Sequence, residues 1–266
     1  MPTAHLNGID VYHERRGAGP RLLFLNGSGA DLVVAAQWVD AYAEHFDVAA
    51  HDQRGLGRAS IPPGPYTMAD YAADAMALVD HLGWAECRVV GVSFGGMVAQ
   101  EVAVTWPARV ERLALVCTSP GGAGGASYPL HELDAGSTEE RGTQMLLLCD
   151  TRWSPEWLAL HPEERLIVEG LGARGRRERT AEQQRGEREQ LLARSHHDVT
   201  DRLHRITAPT LVASGRYDGI APLANAESIA RGIPGAELRV YEGGHLFTVQ
   251  DPKAQPEIID FLVGDG

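Results

Sequence analysis

Positive charge, cysteine and long apolar runs are all scarce in this sequence. Its 24 lysine and arginine residues are outnumbered by 36 aspartate and glutamate residues, which gives a net charge of -12 at pH 7. Because such a surface repels phosphate groups, we expect no nucleic-acid partner. The three cysteines, Cys87, Cys117 and Cys149, show no C-x-x-C spacing, so the sequence predicts neither a disulfide framework nor a zinc knuckle.

Membrane segments, metal motifs and cofactor motifs are also lacking. No stretch approaches about 18 apolar residues, and the segment MPTAHLNGIDVYHERRGAGP has no apolar region typical of a signal peptide. We therefore expect a cytoplasmic protein without a membrane partner. There is no H-E-x-x-H motif and no carboxylate cluster at ligand spacing, so we expect no metal and no cofactor. No heptad pattern occurs, and both a monomer and a homodimer fit the sequence.

Short apolar runs alternate with helical patterns along the 266 residues. The runs lie at 21–26, 46–52, 87–92, 112–117, 210–215 and 237–242. Runs of this length, rich in valine and leucine, are typical of parallel strands covered on both faces. The clearest helix follows Thr67, which can cap it together with Asp70, and Gly83 is expected to end it. The sequence thus predicts an α/β fold, with a mostly parallel sheet flanked by helices.

The strand pattern is interrupted between residues 121 and 205. This segment opens with GGAGGAS and then becomes charged and helical in pattern. We interpret 121–205 as a helical cap inserted over the carboxyl edge of the sheet, and 1–120 with 206–266 as the core. The glycines are not followed by Gly-Lys-Ser/Thr, which argues against a phosphate loop. The alternating arginine and glutamate residues predict a solvated helix face.

The residues Gly91-Val92-Ser93-Phe94-Gly95 fit the motif G-x-S-x-G, in which a nucleophilic serine lies at a sharp strand-to-helix turn. An ordinary tight turn is the alternative interpretation. A strand is predicted just before Ser93 and a helix from about Gly95 to Trp106, which is the context that the motif requires.

A serine nucleophile needs a base, and the base needs an orienting acid. Asp218 follows the run at 210–215 and His245 follows the run at 237–242, in the order serine, acid, histidine that this motif predicts. The carboxyl ends of parallel strands meet at one edge of a sheet, so these residues can converge on Ser93. We therefore predict that Ser93, Asp218 and His245 form a catalytic triad, although a lone histidine is more often structural.

The tetrahedral intermediate of such a reaction needs two N–H donors for its oxyanion. We expect one from the backbone of Phe94 and the second from Ser28 in the loop NGSGADL, with Gly29 as the alternative.

Further residues are candidates for contact with a small-molecule substrate. These are Asn26, Trp38, Arg152, Trp153 and Trp157. Arg152 could bind a carboxylate through its two parallel donors, and an ion pair within the cap is the alternative. The tryptophans could line an apolar pocket, and packing of the cap onto the core is the alternative.

Taken together, these motifs resemble the α/β-hydrolase superfamily over nearly the whole chain. The resemblance rests on Asn26-Gly27, on DQRGLG at 52–57, on the serine turn, on Asp218-Gly219 and on Gly243-Gly244-His245. It implies a serine hydrolase that acts on a small carboxylic ester or lactone without a cofactor. A serine at the nucleophile position argues against the haloalkane dehalogenase and epoxide hydrolase branches, which use aspartate there.

Within the superfamily, the loop NGSGADL and the pair Arg152-Trp153 are similar to features of the 3-oxoadipate enol-lactonases. Two departures are the long segment DLVVAAQW and Leu56, which replaces the histidine of their R-G-H-G turn. Carbon–carbon bond hydrolases or lyases and cofactor-free haloperoxidases use the same triad and remain alternatives. So does a non-catalytic ligand-binding member of the superfamily.

Overall fold

The computed structural model describes residues 2–133, 138–175 and 179–264. Within them the chain forms an eight-stranded sheet of order β1-β2-β4-β3-β5-β6-β7-β8. The strands are β1 (Thr3–Leu6), β2 (Ile9–Arg16), β3 (Arg21–Leu25), β4 (Asp47–His51), β5 (Cys87–Val92), β6 (Val110–Val116), β7 (Thr210–Gly215) and β8 (Glu237–Tyr241). β3 to β8 are parallel, whereas β1 pairs with β2, and β2 with β4, in antiparallel fashion.

Helices connect the strands and cover both faces of the sheet. They are α1 (Leu32–Ala43), α2 (Met68–His81), α3 (Phe94–Thr105), α4 (Thr138–Cys149), α5 (Pro155–Leu160), α6 (Pro162–Gly175), α7 (Ala181–Ser195), α8 (Leu223–Gly232), α9 (Phe247–Gln250) and α10 (Ala254–Val263). Over the described ranges, none of these helices has both the length and the apolar character needed to cross a membrane.

The six apolar runs correspond to β3 through β8, so the predicted α/β fold is confirmed. The largest difference is in β6, which begins at Val110, two residues before the predicted run. α2 begins at Met68 behind a capping box formed by Thr67 and Asp70, as predicted. α3 begins at Phe94, one residue earlier than expected, and Trp106 caps its end.

Two apolar clusters enclose the sheet from opposite sides. The neighbouring residues Leu22 and Leu23 are both completely buried, yet Leu22 packs in the cluster with α1 and α10, and Leu23 in the cluster with α2 and α3. Successive side chains of a strand point to opposite faces, and both faces here are covered by helices. This explains why the central strands read as continuous apolar runs.

The two ends of the segment 121–205 lie next to each other. Gly121 forms bridges with both Gly125 and Asp198, and the Val199 amide donates to the Pro120 carbonyl at 3.0 Å. The division into core and cap at these residues stays a prediction.

The expectation of a solvated charged helix is wrong for one face of α7. Its residues Gly186, Gln190, Ala193 and Arg194 are buried. The packing is close, since a Cβ atom placed on Gly186 would lie 2.1 Å from the carbonyl oxygen of Gly55. The part of the charged segment at 176–178 lies outside the described residues.

Candidate active site

Ser93 lies at the turn between β5 and α3 in a backbone conformation that side chains rarely adopt. Its φ is 55° and its ψ is -114°. Space at this turn requires glycine, because a Cβ atom on Gly95 would lie 2.1 Å from the carbonyl oxygen of Leu25. The turn is held by the Ser93 amide, which donates to the Val116 carbonyl, and by the Thr118 hydroxyl, which donates to the Ser93 carbonyl, both at 2.8 Å. Strain of this kind persists only where the surroundings enforce it.

Asp218 and His245 lie on the loops after β7 and β8, and both reach the serine side of the sheet edge. His245 Nδ1 lies 2.7 Å from Asp218 Oδ2, and His245 Nε2 lies 3.0 Å from Ser93 Oγ. The other oxygen of Asp218 accepts hydrogen bonds from the amides of Ile220 and Ala221, each at 2.8 Å. With Nδ1–H donating to this buried carboxylate, Nε2 is left to accept the proton of the Ser93 hydroxyl.

The environment of His245 determines its pKa. Burial lowers this pKa, but the negative charge of Asp218, the hydrogen bond to it and the neighbouring Cys117 together outweigh burial and raise the pKa well above the ordinary 6.5. Because its pKa is raised, the neutral imidazole is a stronger base, and the imidazolium that forms after proton transfer is more stable.

The C-terminal end of α4 ties the histidine and aspartate loops together. The amide of His245 donates to the Cys149 carbonyl at 2.5 Å, and the amide of Gly219 donates to the Leu148 carbonyl at 3.0 Å. The predicted cap therefore supports the loops of two candidate catalytic residues directly. Sequence reasoning missed this role, because backbone carbonyls leave no signature in residue type.

The loop after β3 passes directly beside the nucleophile. A Cβ atom on Gly27 would lie 3.6 Å from the Cβ of Ser93. The Gly29 amide donates to Gln190 Oε1 on α7 at 2.8 Å, so it is already used. This leaves the amides of Ser28 and Phe94 as the candidate oxyanion donors. Phe94 is the first residue of α3, and the N–H groups of the first helical turn have no partner within the helix.

Asn26, a predicted substrate contact, is 95% buried and shapes the same loop. Its side-chain Nδ2 lies 3.3 Å from the carbonyl oxygen of Asp31, and its backbone carbonyl accepts a hydrogen bond from Gln53 Nε2 at 2.8 Å. These contacts fix the backbone that leads to Ser28.

Arg152 is paired within the predicted cap. Its Nε and Nη2 donate to the two carboxylate oxygens of Asp150 at 2.9 and 2.6 Å. The guanidinium also lies over the rings of Trp157, at 4.9 Å, and Tyr217, at 4.0 Å. This is the ion pair given as the alternative to carboxylate recognition, and a substrate would have to displace Asp150 to use the same donors.

The three candidate tryptophans make packing contacts. Trp153 is 2% exposed and donates through Nε1 to Glu164 at 3.1 Å, while Trp157 stacks on His161 with ring centroids 3.7 Å apart. Trp38 packs against the core cluster of α1 and α10. Their predicted role as pocket walls stays a prediction.

Groups that could hold a metal ion were sought among the described residues. The residues that the structure describes contain no group of three or more histidine, cysteine, aspartate or glutamate side chains placed to hold a metal ion. Cys87, Cys117 and Cys149 are free and buried.

A mostly parallel sheet with a strained serine after β5, an acid after β7 and a histidine after β8 defines the class of α/β hydrolases. The chain belongs to this family, since the family model described as alpha/beta hydrolase fold matches residues 20–252. The predictions of the family, of the fold and of a hydrolase enzyme are therefore confirmed.

Named relatives are found among both sequences and structures. The chain is 30% identical over 240 residues to 3-oxoadipate enol-lactonase 2 of Acinetobacter baylyi, covering 88% of this chain and 85% of that protein. It is 30% identical over 250 residues to the poly(3-hydroxyalkanoate) depolymerase of Ectopseudomonas oleovorans, covering 91% and 83%. The crystal structure of the enol-lactonase from Burkholderia xenovorans superposes with a TM-score of 0.80 at 25% identity, covering 99% of this chain and 100% of that one.

Proposed function

We propose that this protein is a serine hydrolase that cleaves a small carboxylic ester or lactone through an acyl-enzyme intermediate. The observation that carries the proposal is the continuous hydrogen-bonded line from Asp218 through His245 to Ser93, at 2.7 and 3.0 Å, with the serine in a strained turn. A nucleophile, a base and an orienting acid in this arrangement are what acyl transfer by serine requires.

The first half of the reaction forms the acyl-enzyme. Ser93 Oγ attacks the substrate carbonyl carbon while its proton passes to His245 Nε2, and Asp218 stabilises the imidazolium. The amides of Phe94 and Ser28 donate to the oxyanion, a contribution of about 3 kcal/mol for each donor. The intermediate then expels the alkoxide or enolate, which takes the proton back from His245.

The second half releases the acyl group. Water attacks the ester carbonyl on Ser93 while His245 Nε2 takes one of its protons, and the proton then returns to Ser93 Oγ as the carboxylic acid leaves. One water is consumed and one ester bond is cleaved.

The names of the relatives favour ester and lactone chemistry over the other reactions of this triad. One relative and one structural neighbour are named as enol-lactonases. We further propose that residues 121–205 cover the substrate as a helical cap and that the substrate is a small molecule.

The test compares wild type with Ser93→Ala on p-nitrophenyl esters of increasing acyl length and on simple lactones. We expect Ser93→Ala to fold normally and to lose essentially all turnover, whereas Ser195→Ala, at an exposed position, serves as a matched control with unchanged turnover. Wild-type activity that persists in Ser93→Ala would refute the proposal.

A fluorophosphonate probe separates an activated serine from a ligand-binding scaffold. Rapid labelling of wild type, absent in Ser93→Ala, is expected for the hydrolase. Labelling without turnover of any ester or lactone would favour carbon–carbon cleavage, which product analysis of a diketone would identify.

A further inference from the structure

A glutamine side chain contacts the backbone directly before the candidate base. Gln250, the last residue of α9, accepts a hydrogen bond through Oε1 from the Gly244 amide at 2.8 Å. Gly244 immediately precedes His245 in the chain. The approach is close, because a Cβ atom placed on Gly243 would lie 2.7 Å from the same Oε1 atom. Gln250 therefore helps to fix the path of the backbone that leads to His245.

The nitrogen of the same amide group contacts two carboxylates of the segment 121–205. Gln250 Nε2 donates to Asp150 Oδ2 and to Glu164 Oε2, both at 2.9 Å. Asp150 is completely buried and follows the last residue of α4, and Glu164 lies in the first turn of α6. These partners determine the orientation of the amide, since the reversed orientation would place Nε2 against a backbone N–H and Oε1 against two carboxylates. The oxygen and both N–H donors of the amide are thus used.

The charges around this amide favour glutamine at position 250. Among the described residues, Arg152 is the cation that is paired with both carboxylates, since its Nη2 lies 2.6 Å from Asp150 Oδ2 and 3.9 Å from Glu164 Oε1. Two negative charges thus face one positive charge. The N–H groups of Gln250 offset part of the remaining repulsion, because a carboxylate binds such donors strongly. A glutamate at this position would add a third negative charge instead.

The same group of residues also contacts the loop of the candidate acid. The guanidinium of Arg152 lies 4.0 Å from the centre of the Tyr217 ring, and the Tyr217 amide donates to the Gly243 carbonyl at 2.9 Å. Tyr217 immediately precedes Asp218. The residues next to the acid and next to the base are therefore joined to each other and to the segment 121–205, and Gln250 forms one of these links through its side chain.

We propose that Gln250 is a positioning residue for His245, which holds the backbone before the base against two carboxylates of the segment 121–205. The proposal rests on the hydrolase function proposed above. The two hydrogen bonds of the imidazole, at 2.7 Å to Asp218 and at 3.0 Å to Ser93, require an accurately placed ring. A displacement of about 1 Å at such a site costs on the order of 100-fold in rate. Gln250 directs its polar atoms to protein partners, so it acts through His245 and not on the substrate.

The first test is Gln250→Met, because methionine has a similar length and lacks the amide group. With a p-nitrophenyl ester we expect kcat to fall by roughly 10- to 100-fold while KM changes by less than about twofold, since the base is displaced and the substrate contacts remain. Labelling of Ser93 by a fluorophosphonate, which also needs the base, should slow by a similar factor. Gln184→Met, at an exposed position on α7, is the matched control with unchanged kcat. Wild-type kcat and labelling rate in folded Gln250→Met would overturn the proposal.

Gln250→Glu separates the two ends of the amide, and it decides the question if Gln250→Met fails to fold. Glutamate can still accept from the Gly244 amide, but its second oxygen faces Asp150 and Glu164. We expect kcat to fall by roughly 10-fold or more, and the added change Glu164→Gln to restore at least about threefold, because it removes one of the facing charges. An unchanged kcat in Gln250→Glu, or no recovery in the double variant, would overturn the link to the segment 121–205.

The proton resonance of His245 Nδ1–H gives a readout that needs no substrate. The hydrogen bond to Asp218 at 2.7 Å should place this resonance far downfield in wild type and in Gln184→Met. Gln250→Met and Gln250→Glu should shift or broaden it. If wild type hydrolyses no ester, the proposed hydrolase function fails, and this resonance alone decides the role of Gln250. An identical resonance in wild type and in both Gln250 variants would overturn the proposal.

Discussion

Replacement of Asp218 by asparagine should separate the orienting role of this residue from its role in folding. The loop should keep its structure, because the amide oxygen of asparagine can still accept from the Ile220 and Ala221 amides as Asp218 Oδ1 does at 2.8 Å. The other position changes from an acceptor to an N–H donor. It then faces His245 Nδ1, which lies 2.7 Å away in the wild-type protein.

This exchange forces the histidine into the wrong tautomer. With Nδ1 accepting, the proton moves to Nε2, which can no longer take the proton of the Ser93 hydroxyl at 3.0 Å. A comparable change in a serine protease lowers kcat by about 10⁴-fold, and we expect a loss of this order. Because the carboxylate charge, the largest cause that raises the pKa of His245, is also removed, this pKa falls from its raised value.

The direction of the pH effect follows from the role of the neutral imidazole as base. In wild type, kcat/KM should be lost as the pH falls through a histidine pKa raised well above 6.5. In Asp218→Asn, the residual kcat/KM should persist to a lower pH than in wild type. The assay is the pH profile of kcat/KM with an activated ester, together with the melting temperature as a control for folding. Near-wild-type turnover, or an acid limb that does not move, would refute the assigned hydrogen-bond line.

Two further predictions concern stability and are measured by urea denaturation. Gly95→Ala should lower the free energy of unfolding by about 3 kcal/mol, at the upper end for overpacking, because the new Cβ would lie 2.1 Å from the Leu25 carbonyl oxygen. Gly170→Ala is the control within α6. Because its new Cβ would meet open space, it should raise the free energy of unfolding by about 0.5–1 kcal/mol. Equal effects of the two would contradict the close approach at the serine turn. Asp74→Ala should cost about 3 kcal/mol, because Arg54, which donates to it at 2.6 and 2.8 Å, would remain buried with only the longer ion pair to Asp70 at 3.8 Å. A loss below about 1 kcal/mol would mean that Arg54 finds another partner.

The parts of the fold that could be predicted are those in which burial determines residue type. The strands β3 to β7 are covered on both faces and therefore read as apolar runs, whereas β8, at the edge of the sheet, has only Tyr241 buried. The β1–β2 hairpin was not predicted, because β1 has no fully buried residue and its pattern is partly polar. Its turn at Asn7-Gly8, with φ values of 47° and 79°, did carry a recognisable signal for a tight hairpin.

The candidate site also has a part that the sequence predicts and a part that it does not. The convergence of Ser93, Asp218 and His245 followed from chain order and from the shared edge of parallel strands. The buried face of α7 could not be predicted, because its arginines and glutamines give a pattern typical of a solvated helix. Only the structure distinguishes Arg152, which is paired with Asp150, from Arg194, whose Nε and Nη2 have no hydrogen-bond partner among the described residues.

The segment 121–205 contacts three loops of the candidate site. The carbonyls of Leu148 and Cys149 hold the loops of Asp218 and His245, and the side chain of Gln190 holds the loop of Ser28 through Gly29. Exchange of this segment for that of a relative should change turnover as well as specificity, since the loops of Ser28, Asp218 and His245 all form hydrogen bonds with it.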